Sequence, residues 1–261
     1  MTTNKKDRII GLIPARMAAS RFPGKPLFPI LGKPMIEHVY MRAQMFKQWD
    51  ALALATCDKE IQDFGILQDW DVIMTSDKHT RCLDRIAEAA PKLVHDIADN
   101  DIVVCVQGDE PMLHPEMIEA SIAPLLNDSD CYCTVLTMNI VNEEDYKNKD
   151  TVKVIHNMKG DVQYTSRSPI PYCKIFSPEL GAKRIYGIFA FRWHFLKTFT
   201  SLAESPLERI EACDSNRIFD YGYKQRVAPY KFIPSYSVDS PEDIKKVEAA
   251  MVNDSIYKSL M

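Results

Sequence analysis

Short apolar, β-branched runs alternate along the chain with longer stretches in which apolar residues recur every three to four positions. The short runs predict strands at Ile9–Ile13, Ala51–Thr56, Asp71–Met74, Ile102–Val106 and Cys133–Asn139, because near-continuous apolar runs suit strands buried on both faces. The helical spacing predicts helices over Met35–Phe46, Lys59–Gln68, Asp84–Ala90 and Pro115–Leu125. Pro115 suits the first position of its helix and Asp58 the N-cap of another. Strands alternating with helices imply an α/β fold around a mainly parallel sheet.

After Val141 the texture changes. NEEDYKNKD is polar, and VKVIHNMKGDVQYTSR predicts a hairpin turning at Lys159-Gly160-Asp161. A proline-rich loop runs on to about Lys183, and from Tyr186 the strand and helix pattern resumes, ending in a helix from Pro241. Residues 1–139 and 186–261 therefore form one expected α/β domain, with 140–185 an inserted hairpin and loop region.

With 261 residues, 46% of them hydrophobic, the chain can bury one large core. A net charge of −4 offers no general attraction to nucleic acid or to an anionic membrane, so any anion site must be local. No run reaches membrane-spanning length, and IIGLI near the N-terminus is short for a signal peptide. Seven scattered cysteines, with Cys131-Tyr-Cys133 lacking metal-site spacing, predict structural thiols in a reducing cytoplasm.

Two motifs carry candidate chemistry. GLIPARMAASRFPGKPL, residues 11–27, brings Pro14, Ala15 and Arg16 to the carboxyl end of the first strand, the usual ligand crevice of open α/β sheets. Arg16, Ser20, Arg21 and Lys25 then supply guanidinium forks, a hydroxyl and an ammonium, the mixture a polyphosphate needs. The segment matches neither GxxxxGK[ST] nor GxGxxG; taken alone it fits a phosphate cradle and a solvated basic loop equally well. VVCVQGDEPML, residues 103–113, ends a second strand with Gln107 and Asp109 at the same sheet edge. Asp109 suits a hard divalent cation, and Asp239 in PSYSVDSPEDI is either a second such acid or a helix cap.

Together with QYTSRSPIPY, SPLERIE and VDSPEDIKKVE, these motifs resemble the 3-deoxy-manno-octulosonate (Kdo) cytidylyltransferases, in the family's order and over almost the whole chain. The resemblance implies a Rossmann-like fold with a small dimerisation region. It also implies a Mg²⁺-dependent transfer of CMP from CTP to an acidic sugar, releasing pyrophosphate, for lipopolysaccharide or surface-glycan synthesis, in a cytoplasmic homodimer. By matching motifs, Arg16, Lys25 and Asp109 would be catalytic. Pro14, Ala15, Arg16, Ser20, Arg21, Lys25 and Arg81 would bind the nucleotide. Gln107, Arg167, Tyr186 and Asp214 would bind the acceptor, and Asp109 and Asp239 the metal.

The departures fall on recognition rather than on phosphate or metal groups. Where the family has His-x-Ser-Gly-Thr-Asp/Glu-Arg, this chain has His79-Thr80-Arg81-Cys82-Leu83-Asp84-Arg85. A Glu-Gln pair is Asp214-Ser215, and a serine of the phosphate loop is Ala19. These changes point to a shifted acceptor, such as an amino derivative of Kdo, with Arg81 either taking an anion or standing as an exposed helix-start residue. The alternatives are another acidic sugar or phosphonate as acceptor, or a catalytically silent nucleotide-binding regulator.

Overall fold

The computed structural model describes residues 6–18 and 21–260. Its strands are β1 (Ile9–Ala15), β2 (Pro29–Ile30), β3 (Lys33–Pro34), β4 (Ala51–Thr56), β5 (Val72–Met74), β6 (Ile102–Val106), β7 (Cys133–Asn139), β8 (Lys153–His156), β9 (Val162–Ser166), β10 (Lys183–Arg192) and β11 (Arg226–Tyr230). Its helices are α1 (Met35–Gln44), α2 (Lys59–Leu67), α3 (Cys82–Leu93), α4 (Pro115–Asn127), α5 (Glu143–Lys147), α6 (Trp193–Ser201), α7 (Pro206–Glu211), α8 (Ser215–Asp220), α9 (Asp243–Met251) and α10 (Ser255–Leu260).

The main sheet runs in the order β11-β7-β10-β6-β1-β4-β5. All neighbours are parallel except β10, which is antiparallel to both β6 and β7. Alternate residues of the central strands feed two cores, as the pleat requires. Ile13 of β1 and Val104 of β6 join α1 and α4 on one face. Leu12 and Cys105 join α3 and α6 on the other. Each such fully buried aliphatic side chain contributes about 1.5–3 kcal/mol.

Every strand and helix read from periodicity is present, with ends shifted by a few residues at most. β1 continues past Ile13 to Ala15 because Pro14 lies beyond Leu12, where pairing with β6 stops and only β4 flanks the strand. The 157–161 turn closes on Asn157, whose side-chain oxygen accepts from the Lys159 and Asp161 amides at 2.9 Å each. The hairpin β8–β9 joins the main sheet through β8, which pairs with Lys183 and Arg184 at the start of β10.

Asp58 occupies the N-cap position of α2 but makes no side-chain cap. Its carboxylate instead accepts from the Met17 amide at 2.8 Å and so anchors the loop leaving β1. This replaces the capping role expected from sequence: the loop amide competes for the same oxygen.

Candidate active site

The antiparallel placement of β10 brings its N-terminal half beside the carboxyl end of β6, one strand away from that of β1. The Gln107 amide donates to the Gly187 carbonyl at 2.9 Å, closing that edge. Two glycines permit the approach. A Cβ at Gly108 would lie 2.7 Å from the Pro14 carbonyl oxygen, and one at Gly187 would lie 2.6 Å from Glu110 Oε1. The result is a cleft of about 420 Å³ at the sheet edge.

Pro14, Ala15, Arg16, Arg21, Lys25, Arg81, Gln107, Asp109, Arg167, Asp214 and Asp239 all line this cleft. Residues as far apart in the chain as Pro14 and Asp239 are thus brought together. Ser20 lies outside the described residues. Tyr186 departs from the sequence expectation: its ring is 1% exposed in the core, and its hydroxyl shares a 2.6 Å hydrogen bond with Ser235. Alternation on β10 turns this side chain inward with Ile188, so it does not line the cleft.

The cations and carboxylates at the β1 and β6 exits face one another. Lys25 Nζ donates to Asp109 Oδ2 at 2.9 Å and to the Val238 carbonyl at 2.7 Å. Arg21 donates to Asp239 at 2.5 Å and to Asp150 at 2.9 Å. Asp239 is not the helix cap. Asp243 takes that task, accepting from the amides of Asp239 and Ser240 at 2.9 and 2.8 Å. Burial pushes the Asp239 carboxyl up, the nearby Asp109 charge pushes it further, and Arg21 opposes both.

That mutual strain tests the fit of a metal. Among the described residues no group of three or more His, Cys, Asp or Glu side chains forms a metal cage. Two repelling carboxylates at a phosphate-sized cleft do suit a hard cation completed by substrate phosphates and water, as Mg²⁺ prefers.

Beneath them lies Glu110, which sequence reading left without a role. It is 3% exposed and accepts from the Gly187 amide at 3.0 Å and from Ser237 at 2.8 Å. Burial first, then the Asp109 charge, push its carboxyl up to about 7. Glu110 therefore ties β10 and the Asp239 segment to the β6 exit.

At the other end of the cleft the Arg81 guanidinium lies 2.6 Å from Glu204, 3.6 Å from Asp214 and 3.9 Å from Glu208. It is neither a solvated helix-start residue nor an unpaired anion receptor; three acids of the chain surround it. Cys82 Sγ stands 3.5 Å from Gln107 Nε2 and 3.7 Å from Asp214 Oδ2. A hydrogen bond with Cys105 and burial push the Cys82 thiol well up, so it stays protonated. Burial likewise lifts Asp214 to about 6, against the pull of Arg81.

Arg167 lies at the rim with its fork turned onto backbone. Nε donates to the Glu211 carbonyl at 2.8 Å, Nη1 to Lys149 at 2.9 Å and Nη2 to Ala212 at 3.3 Å. Arg184 and Asp150 also line the cleft, and no motif marked either one.

A mainly parallel sheet with cations after its first strand and two acids converging on them defines a nucleotide-binding transferase of the nucleotidyltransferase class. The comparisons with known proteins agree with that class. The cytidylyltransferase family matches residues 10–232. The 3-deoxy-manno-octulosonate cytidylyltransferase of Syntrophotalea carbinolica is 39% identical over 249 residues, covering 92% of this chain and 97% of the relative. The protein of the same name from Nitratidesulfovibrio vulgaris strain DP4 is 40% identical, covering 90% and 92%. A solved CMP:2-keto-3-deoxy-manno-octonic acid synthetase complexed with CTP superposes with a TM-score of 0.84 at 33% identity, covering 95% of this chain and 99% of the other. The chain belongs to the 3-deoxy-manno-octulosonate cytidylyltransferase family.

Proposed function

We propose that this protein transfers CMP from CTP to 3-deoxy-manno-octulosonate and releases pyrophosphate, supplying an activated acidic sugar for surface-glycan synthesis. The observation that carries the reading is the convergence of Arg21 and Lys25 on Asp239 and Asp109 at the sheet edge. In this scheme Arg16, Arg21 and Lys25 hold the triphosphate, and the backbone of Pro14 and Ala15 lies beside the nucleoside. Asp109 and Asp239 would hold Mg²⁺, which when bound supplies charge neutralisation at the α-phosphate and acidifies the attacking hydroxyl. The anomeric oxygen of the acceptor bonds to the α-phosphorus as the bond to the bridging oxygen breaks. Arg16 and Lys25 then stabilise the departing pyrophosphate. Gln107 and Asp214 face the acceptor's hydroxyls.

Pyrophosphate release tests the reading. Release with CTP, Kdo and Mg²⁺, but not with UTP, is the expected result; no release with any acidic sugar overturns it in favour of a silent nucleotide binder.

A second reading, a modified Kdo as acceptor, is favoured by Cys82. Its protonated thiol, a weak hydrogen-bonding group, stands beside Gln107 and Asp214. A higher kcat/KM for an amino derivative than for Kdo supports this reading, and equal or lower values contradict it.

The homodimer belongs to the proposal too, with 140–185 as the pairing region. Met158, Tyr172 and Ile175 there stand 106%, 88% and 81% exposed; light scattering decides the mass. No helix among the described residues is long and apolar enough to cross a membrane. All seven cysteines are free thiols, which supports placement in a reducing cytoplasm.

A further inference from the structure

An enzyme joining a triphosphate to an acidic acceptor needs cationic groups for two separate anions. Most cations of the cleft are already engaged by the chain itself. Arg21 and Lys25 face Asp239 and Asp109, and Arg81 faces three acids. Arg85 is buried and donates to Thr75 and to the carbonyls of Ser76 and His79. Arg167, the residue the family resemblance gives to the acceptor, directs Nε and Nη2 at the Glu211 and Ala212 carbonyls at the end of α7 and Nη1 at the Lys149 carbonyl, 3.8 Å from Asp150. Favourable placement at the C-terminal end of that helix holds it there.

Arg16 and Arg184 remain. Neither has a carboxylate partner among the described residues. The only hydrogen bond of the Arg184 side chain is from Nε to the neighbouring Ile185 carbonyl at 3.4 Å, so Nη1 and Nη2 have no partner among the described residues. Its guanidinium carbon lies 6.0 Å from the centroid of the Tyr186 ring, within reach of a cation–π contact that steadies it. Tyr186 in turn is fixed by Ser235. The side chain is half-buried and lines the cleft with Gln107, Asp109 and Gly187.

The topology sets the two guanidinium groups apart. Arg16 leaves β1 and Arg184 sits on β10, with β6 between them carrying Gln107 and Asp109 at its exit. Two strand spacings amount to about 10 Å, so an anion on each flank leaves the metal carboxylates between them.

We propose that Arg184, rather than Arg167, binds the carboxylate of the acceptor sugar, while Arg167 fastens the 149–150 segment to the end of α7. The proposal rests on the reading of the acceptor as an acidic sugar. A guanidinium with two free parallel N–H donors is the group that takes a carboxylate bidentately.

Steady-state pyrophosphate release tests it on the full-length protein with CTP, Mg²⁺ and Kdo. R184Q is expected to raise KM for Kdo about 10- to 100-fold while KM for CTP stays within about two-fold. R184K, which keeps a cation beside Glu110 and Tyr186, is expected to recover part of the loss, and thermal melts check that both variants are folded. With the carboxamide of Kdo as acceptor, wild type and R184Q should become alike, since no carboxylate remains to bind. R167Q is expected to lower Tm by freeing three backbone carbonyls. A KM for Kdo in R184Q equal to that of the wild type, or a carboxamide that still distinguishes the two, overturns the assignment of Arg184 alone. No release by the wild type overturns the acidic-acceptor reading and this inference with it.

Discussion

Lys25 Nζ donates to Asp109 Oδ2 at 2.9 Å, joining a group proposed for the triphosphate to a group proposed for the metal. Arg21 and Asp239 repeat the arrangement at 2.5 Å. A nucleotide arriving without metal would have to draw both cations off their carboxylates. A metal placed on the carboxylates releases the cations for phosphate. CTP and Mg²⁺ should therefore bind with positive coupling, and by linkage each strengthens the other equally. Titration calorimetry with and without Mg²⁺ is expected to show CTP binding at least about 10-fold tighter with metal. K25A should weaken the metal-loaded affinity for CTP by a similar factor, and an unchanged affinity contradicts its role.

D109N separates the two tasks of this pair. Turnover should fall at least about 10²- to 10³-fold, the scale for losing a group that stabilises developing charge. In the absence of metal the sign reverses: Lys25, no longer held by a carboxylate, should bind CTP more tightly than in the wild type. Metal-free affinity lower than that of the wild type would exclude the exchange of partners, and an intact Tm checks that the fold survives.

Asp214 should leave a mark on stability against pH. Burial raises it to about 6 in the folded chain, against about 3.9 unfolded. Between these values the folded state binds more protons than the unfolded one, so stability falls as pH rises. The contribution is fully present below about pH 4 and lost above about pH 6, a change of about 3 kcal/mol. Arg81, Arg217, Glu208 and Asp84 face the group and set its depth. Urea melts across this range should show the decline in the wild type and lack that part of it in D214N. Parallel curves would place Asp214 in a more solvated setting.

Behind the cleft, Arg217 holds Glu208 through two hydrogen bonds, of 2.7 and 2.6 Å, with Glu208 wholly buried. Glu208 also completes the capping box of α7 with Ser205. Removing one partner strands the other charge, so E208A should cost about 3–5 kcal/mol. By contrast D150A, which breaks only solvent-accessible pairs with Arg21 and Arg167, should cost under about 1 kcal/mol. Equal losses in chemical denaturation would refute the ranking.

Much of the fold was legible in the chain. The strands around β1 and β6 are short, apolar and β-branched, and the loops after them carry their cations and acids in compact motifs. Gln107, Asp109 and Lys25 could be found because each follows a strand whose carboxyl end the parallel arrangement places at one edge. Arg184 could not. It lies within a strand whose antiparallel direction no local pattern reports, and its role depends on Arg167 being engaged elsewhere. Tyr186 was misread for a related reason: the motif holds its position, but the pleat chooses its face. Asp58 was read as a cap because capping is local, whereas the Met17 amide it binds is 41 residues away.

By itself the sequence determined the elements, the basic loop after β1 and the two acids, since propensity, periodicity and motif spacing act over a few residues. Which cation meets which carboxylate, and which arginine keeps its donors free, only the tertiary structure decided. Those pairings follow from close packing of distant segments, and there a displacement of one strand position changes every partner.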